Sequence, residues 1–182
     1  MNYAEIKYCD IANGVGVRTS LFVSGCRNHC PGCFNQGTWS FELGEPFTDE
    51  VADAIIASLE PAYVHGLTVL GGEPLEPENQ EALVPFLKRV RQEQPNKSIW
   101  LYTGFTWEEI TEGPSRAHQL TAGYILDLID VLVDGRFVEA QKDIRLRFRG
   151  SSNQRLIDVP KTLAAGAIVW WEDERVFATH EW

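Results

Sequence analysis

The chain has 182 residues, a formal net charge of −10 from 26 acidic and 16 basic residues, and 44% hydrophobic residues. These values suit one globular domain with its own core, and the acidic balance argues against nucleic acid as the main partner, since phosphate contacts need clustered cations. No apolar run approaches the roughly 20 residues that span a bilayer, and the first ten residues lack the features of a signal peptide. We therefore expect a single cytoplasmic domain over residues 1–182.

Strands and helices are predicted to alternate along the chain. Strands are predicted from short apolar runs rich in β-forming residues, at 19–25, 67–74 (with a glycine turn), 98–104, 130–135, 144–150 and 154–159. Helices are predicted from amphipathic or short helix-forming stretches, at 47–60, 77–93, 107–113 and 121–129. This alternation indicates an α/β fold with a mostly parallel sheet.

Glycines follow several of the predicted strands. They are Gly25, Gly71, Gly72, Gly104 and Gly135. Ligands of parallel α/β folds bind at the carboxyl ends of the strands. We therefore expect these glycine turns to gather on one rim of the sheet, together with the cysteine-containing loop that follows the first predicted strand.

Three cysteines, Cys26, Cys30 and Cys33, follow the spacing C-x3-C-x2-C. In a reducing compartment such a cluster indicates a metal site or catalytic thiols rather than disulfides. The spacing favours an iron–sulfur cubane, because thiolates bind its corner irons and one compact loop can hold three corners. Pro31 and Gly32 suit such a tight turn. One iron would then lack a protein ligand, which leaves a coordination position open, as in catalytic metal sites.

Zinc and unliganded cysteines are the alternatives to a cluster. Structural zinc sites favour two separated pairs of ligands, whereas this chain has one group of three. Cys9 could serve as a fourth ligand, but an isolated cysteine is more often a small buried residue. His29 directly precedes Cys30, so the two could hardly reach one tetrahedral ion without strain.

Five segments, at residues 13–35, 71–75, 100–109, 130–139 and 149–155, resemble in order the activating proteins of anaerobic ribonucleoside-triphosphate reductase, members of the radical S-adenosylmethionine superfamily. The resemblance implies a partial (β/α) barrel with one 4Fe-4S cluster whose open iron binds S-adenosylmethionine. It also implies reduction by a flavodoxin-type donor, cleavage of S-adenosylmethionine to a 5′-deoxyadenosyl radical, and formation of a glycyl radical on the reductase.

The resemblance implies roles for individual residues as well. Cys26, Cys30 and Cys33 would hold the cluster and be catalytic. The residues that would contact S-adenosylmethionine are Gly32, Cys33, Phe34, Gly71, Gly72 and Glu73, with Thr103 and Asp134 on its carboxylate or ribose side. Gly32 departs from the wider superfamily, in which an aromatic residue is common before the last cysteine. Residues 160–182 form an extension outside the motifs, for which two short β-runs suggest a hairpin.

A period-two alternation at residues 144–149 would place Arg145, Arg147 and Arg149 on one face of a strand. One interpretation is a solvated edge strand that charge protects from aggregation. The other is a docking face for an acidic patch on the reductase or the electron donor. For the whole chain, two functions stand beside the activase: a radical enzyme acting on a small molecule, and a zinc-binding interaction module.

Overall fold

The structure is a computed structural model that describes residues 1–172. Its strands are β1 (Asn2–Asp10), β2 (Val17–Val23), β3 (Glu45–Pro46), β4 (Val64–Gly71), β5 (Ser98–Tyr102), β6 (Val131–Asp134) and β7 (Arg155–Asp158). Its α-helices are α1 (Asp49–Ser58), α2 (Pro77–Glu93), α3 (Trp107–Thr111), α4 (Leu120–Leu126) and α5 (Val159–Ala165). Short 3-10 helices cover Gln36–Trp39 and Glu139–Gln141.

The strands form one sheet of seven in the order β3-β1-β2-β4-β5-β6-β7. Strands β2, β4, β5 and β6 are parallel, which confirms the predicted α/β class with a mostly parallel sheet. The sheet is mixed, because β1 and β3 on one side and β7 on the other are antiparallel to their neighbours. Antiparallel edge strands on a parallel centre are common in folds of this class.

Most predicted elements are confirmed, and α2 has the predicted bounds even though Pro85 lies inside it. Helix α1 begins after Thr48, whose hydroxyl accepts a hydrogen bond from the Val51 N–H, as expected for a cap. Strand β1 was not predicted, because its residues are mostly half-buried or exposed and form no continuous apolar run. No helix within residues 1–172 is long and apolar enough to cross a membrane.

The predicted strand at 144–150 is wrong, since these residues form a turn-rich loop. In a strand, Ile144 and Phe148 would share one face, but only Phe148 packs against the protein, beside Trp100, and Ile144 is 91% exposed. Asp143 also accepts hydrogen bonds from the backbone N–H and the guanidinium of Arg145, which stabilises a turn. The alternating pattern therefore does not reflect a strand with one buried face.

The predicted C-terminal hairpin falls mainly outside the described residues, because residues 173–182 are not among them. Within the described part, the extension begins with α5, and Trp170 then pairs with Ile157 in an isolated antiparallel bridge.

All five helices contribute to the main core on one face of the sheet, where their apolar residues pack against residues such as Leu21, Val69 and Leu101. The opposite face has a smaller core around Trp100, Val133 and neighbouring residues, against which loop residues pack. The sheet is thus covered by helices on one side and by loops on the other.

Arg18 of β2 is 1% exposed, and its guanidinium links three neighbouring strands. Its Nε donates to Thr68 Oγ1 (2.7 Å), and its Nη2 donates to the carbonyls of Leu67 (2.7 Å) and Ser98 (2.9 Å). Its Nη1 donates to the Val15 carbonyl and to Ser98 Oγ. All five donors of the guanidinium therefore have acceptors. None of these acceptors is a carboxylate, and burial lowers the pKa of Arg18 to about 10.

We predict that Arg18→Met lowers the free energy of unfolding by about 3 kcal/mol, because acceptors on β4, on β5 and in the loop before β2 lose a donor that methionine cannot replace. The measurement is urea unfolding of the anaerobically reconstituted protein, followed by circular dichroism. Arg89→Met on the surface of α2 is the control and should leave the unfolding midpoint unchanged. Equal midpoints for both variants would contradict the structural role of Arg18.

Candidate functional site

The loop that contains the three cysteines leaves β2 at Gly25 and ends in the 3-10 helix at Gln36–Trp39. Backbone hydrogen bonds join its two ends, from the N–H of Gly25 to the Thr38 carbonyl (2.8 Å) and from the N–H of Cys26 to the Trp39 carbonyl (3.1 Å). Cys26 is buried, while Cys30 and Cys33 are half-buried. Because its two ends are joined, the loop is compact, and it carries all three cysteine sulfur atoms.

The turn between Cys30 and Cys33 has the tight geometry that the sequence predicts. The N–H of Cys33 donates to the Cys30 carbonyl (3.1 Å), and Gly32 has a φ of +72°, which glycine adopts without strain. Glycine at this position therefore shapes the turn between two candidate ligands.

The three cysteines line one cavity of about 130 Å³ at the carboxyl ends of the parallel strands. The same cavity is lined by five other predicted site residues: Phe34, Gly71, Gly72, Glu73 and Thr103. Gly104 and Gly135 also line it. The prediction that the cysteine loop and the glycine turns gather on one rim is therefore confirmed.

A second cavity of about 420 Å³ adjoins the first and is mostly apolar. Both cavities are lined by Cys33, Phe34, Leu70, Tyr102, Phe137 and Gln154. Gly32 lines the second cavity only. Sequence reasoning missed Tyr102 and Phe137. Tyr102 ends β5 and Phe137 lies three residues after the end of β6, so the rule for the carboxyl ends of parallel strands could have identified both.

Glu73 is 1% exposed and joins the cysteine loop to the ends of β4 and β5. Its carboxylate accepts hydrogen bonds from the Thr103 hydroxyl (2.7 Å), the Gly104 N–H (2.7 Å), the Leu75 N–H (2.9 Å) and the Asn28 side-chain amide (2.9 Å). Burial raises its pKa to about 7, against the effect of these hydrogen bonds. These four protein donors thus fill nearly all the acceptor positions of the carboxylate.

Glu76 is a second buried carboxylate at the same turn, with 0% exposure. It forms ion pairs with Arg27 (2.7 Å) and Arg116 (3.0 Å) and accepts a hydrogen bond from the Arg27 N–H (2.8 Å). Arg116 also donates to the Asn28 side-chain carbonyl (2.7 Å). Arg27 and Asn28 directly follow Cys26, so Glu76 fixes the start of the cysteine loop. The sequence motif GGEPLE contains both carboxylates, but only Glu73 was predicted as a site residue.

Gly72 lets two pieces of backbone pack closely. A Cβ atom built there would lie 2.5 Å from the Gly25 carbonyl oxygen and 2.9 Å from the Thr38 carbonyl oxygen. Any larger residue would push the cysteine loop away from β4. The close neighbour of Gly72 in the structure is therefore the cysteine loop, and a ligand contact at Gly72 stays a prediction.

Asp134 and Cys9 line neither cavity. Asp134 is buried, accepts a hydrogen bond from the Trp107 N–H (2.7 Å) and forms an ion pair with Arg155. It therefore links β6 to α3 and β7. Cys9 is exposed on β1, so the expectation of a small buried residue is wrong.

The donor set fits a cluster better than a single ion. Within residues 1–172, no group of three or more histidine, cysteine or acidic side chains converges on one ion position. A cubane does not require such convergence, because each thiolate binds a different corner iron. Burial raises the pKa of Cys26 to about 11 and also raises that of Cys30, so binding of iron would release protons from these thiols.

Tyr102 is a second indication, besides the cysteines, that a ligand binds at these cavities. Its hydroxyl is buried and has no hydrogen-bond partner in the part of the chain that the structure describes. The residue lines both cavities, and burial raises its pKa. A buried hydroxyl without a partner is costly unless a bound molecule supplies one.

Comparison with known proteins agrees with the cysteine site. The family model of the 4Fe-4S single cluster domain matches residues 12–157. Proteins named anaerobic ribonucleoside-triphosphate reductase-activating protein are similar over 156 residues, which is 85% of this chain. The relatives from Haemophilus influenzae, Salmonella typhimurium and Escherichia coli are 44%, 43% and 42% identical, and the match covers 96% of each. These matches favour an iron–sulfur cluster over zinc.

We predict that Glu76→Gln destabilises the protein by about 2–3 kcal/mol, because it leaves two guanidinium groups without their buried partner. The cysteine loop should loosen as a result, and less iron should remain bound per chain after desalting. Glu78→Gln is the matched control, since Glu78 also pairs with Arg27 but is largely exposed. Urea unfolding and iron analysis check both variants, and equal iron retention by Glu76→Gln and Glu78→Gln would contradict the role assigned to Glu76.

Proposed function

The chain belongs to the family of anaerobic ribonucleoside-triphosphate reductase-activating proteins, which carries a 4Fe-4S single cluster domain, and we propose that it generates a glycyl radical on such a reductase. The bound cluster would supply one low-potential electron, received from a flavodoxin-type donor, that splits S-adenosylmethionine into methionine and a 5′-deoxyadenosyl radical. A glycine of the reductase would give up a hydrogen atom to this radical, which leaves as 5′-deoxyadenosine.

The arrangement of three cysteines around one cavity at the strand ends is the observation that carries this proposal. Cys26, Cys30 and Cys33 would each bind one iron and leave the fourth iron open to S-adenosylmethionine. The protein would thus act as a radical S-adenosylmethionine oxidoreductase. Its own contribution is to hold the loop, through Glu73 and Glu76, so that the open position faces the strand ends.

The turn Gly71–Glu73 is the proposed contact for the amino group of S-adenosylmethionine. We assign this contact to the backbone rather than to the Glu73 side chain, because that carboxylate already accepts four hydrogen bonds from the protein. Thr103 has a similar positioning role, since its hydroxyl donates to Glu73 and accepts from the Phe105 N–H.

Aromatic side chains would shield the reactive carbon centre. Phe34, Tyr102 and Phe137 line both cavities, and their apolar surfaces exclude water from the space between the cysteines and the strand ends. Phe34 is nevertheless 90% exposed, so the cavity mouth is open on its side. An open mouth favours a protein substrate that closes the site when it binds.

The larger cavity supports the second candidate, a radical enzyme acting on a small molecule. Its volume of about 420 Å³ is within the range of small-molecule pockets. Such an enzyme would turn over a substrate with no protein partner, whereas an activase requires the reductase. The two functions therefore differ in where the hydrogen atom originates.

We predict that the reconstituted, dithionite-reduced protein produces 5′-deoxyadenosine from S-adenosylmethionine and that Cys30→Ala does not. Addition of the reductase should give a glycyl-radical signal in electron paramagnetic resonance spectra. Cys9→Ala is the matched control, because Cys9 lies outside both cavities and its removal should leave both readouts unchanged. A fully loaded protein that yields no product, with or without the reductase, would falsify the proposal.

We also predict opposite effects of Tyr102→Phe on stability and on ligand binding. Loss of the unpaired buried hydroxyl should raise the urea midpoint of the protein without ligand, whereas the affinity for S-adenosylmethionine should fall roughly 2–10-fold. Equilibrium binding by calorimetry and urea unfolding provide the two readouts. Unchanged affinity would show that the hydroxyl does not contact the ligand.

A further inference from the structure

The loop of residues 142–149, here called the basic loop, differs in charge from the rest of the chain. It contains four basic residues, Lys142, Arg145, Arg147 and Arg149, and one acidic residue, Asp143, whereas the whole chain has a net charge of −10. Asp143 and Arg145 form an ion pair (2.8 Å) within the loop. The basic loop therefore contains three more basic than acidic residues, in a chain that is acidic overall.

The basic loop borders the larger cavity. Lys142, Asp143, Ile144 and Arg149 line this cavity together with Phe34 of the cysteine loop. Ile144 is 91% exposed and Phe34 is 90% exposed, so two large apolar side chains project beside the cavity amid basic residues. These two side chains would offer a partner an apolar contact at the mouth of the cavity.

The base of the basic loop is firmly held. The ring of Phe148 packs edge-on against Trp100 (5.2 Å between centroids) and near Trp171 (6.3 Å). Arg149 donates to the Gln154 carbonyl (2.7 Å), and Lys142 pairs with Ser151 in an isolated antiparallel bridge. A partner that binds here would thus meet a preformed surface, which lowers the entropic cost of association.

We infer that the basic loop, including Ile144, forms the docking surface for an acidic segment of the protein that gives up the hydrogen atom. The inference rests on the proposed function and identifies the part of the molecule that recognises the reductase. Positive charge on the loop selects an acidic segment, and Ile144 offers it an apolar contact.

The position of the basic loop indicates that the protein bound there is the hydrogen-atom donor rather than the electron donor. Transfer of a hydrogen atom requires contact between the carbon that loses it and the radical, so the donor must enter the cavity. An electron can reach the cysteine site without such entry. A surface that lines the cavity itself therefore suits the hydrogen-atom donor.

The test is a binding measurement with the double variant Arg145→Gln/Arg147→Gln. Calorimetric titration with the reductase at low salt should show binding roughly tenfold weaker than that of the unaltered chain, and the salt dependence of binding should decrease. The control is Lys88→Gln/Arg89→Gln, which removes the same charge from α2 on the helix-covered face. It should bind the reductase like the unaltered chain. Ile144→Ser should also weaken binding.

Cleavage of S-adenosylmethionine by dithionite-reduced protein without the reductase separates docking from the integrity of the site. The double variant should match the unaltered chain in this assay, because neither arginine lines either of the two cavities beside the cysteines. If the double variant binds the reductase as tightly as the control does, the inference is overturned. Loss of flavodoxin binding with intact reductase binding also overturns it, and assigns the loop to the electron donor. Failure of the proposed function would differ, since the unaltered chain itself would form no 5′-deoxyadenosine.

Discussion

Two buried carboxylates, Glu73 and Glu76, hold the cysteine loop against the ends of the parallel strands. The loop has little regular structure. Its residues Arg27 and Asn28 bond to these carboxylates, and Arg116, outside the loop, also pairs with Glu76. Burial of a carboxylate is costly unless its oxygens are bonded. Glu76 is balanced by two guanidinium groups, whereas Glu73 has only neutral donors, and burial raises its pKa to about 7. This pair therefore fixes the start of the cysteine loop, directly after Cys26.

The one-sided packing of the sheet explains which parts of the chain line the two cavities. All helices pack on one face, and Arg18 ties β2, β4 and β5 together from the other face without a helix above them. Within residues 1–172, loops cover that second face, so their residues can line the cavities.

The sequence predicted the features that depend on local pattern and on the rule for parallel strands. The bounds of α2 and the gathering of glycine turns around the cysteines belong to this group. Features that depend on distant partners were missed or misjudged. Arg116 reaches Asn28 across 88 residues, and no local signal indicates that contact. The alternation at 144–149 indicated a strand, but the packing of Phe148 on Trp100 places that segment in a loop instead.

The C-terminal extension contributes to the same surface as the basic loop. Trp171 lies beyond residues 12–157, which the family model matches, and its ring packs against Trp100 (5.0 Å) and near Phe148. Its N–H donates to the Leu156 carbonyl, which fixes the segment along β7. A side chain of the extension thus supports the residue that anchors the basic loop. Because the loop borders the larger cavity, Trp171 can influence how the cavity mouth meets a partner by supporting Phe148.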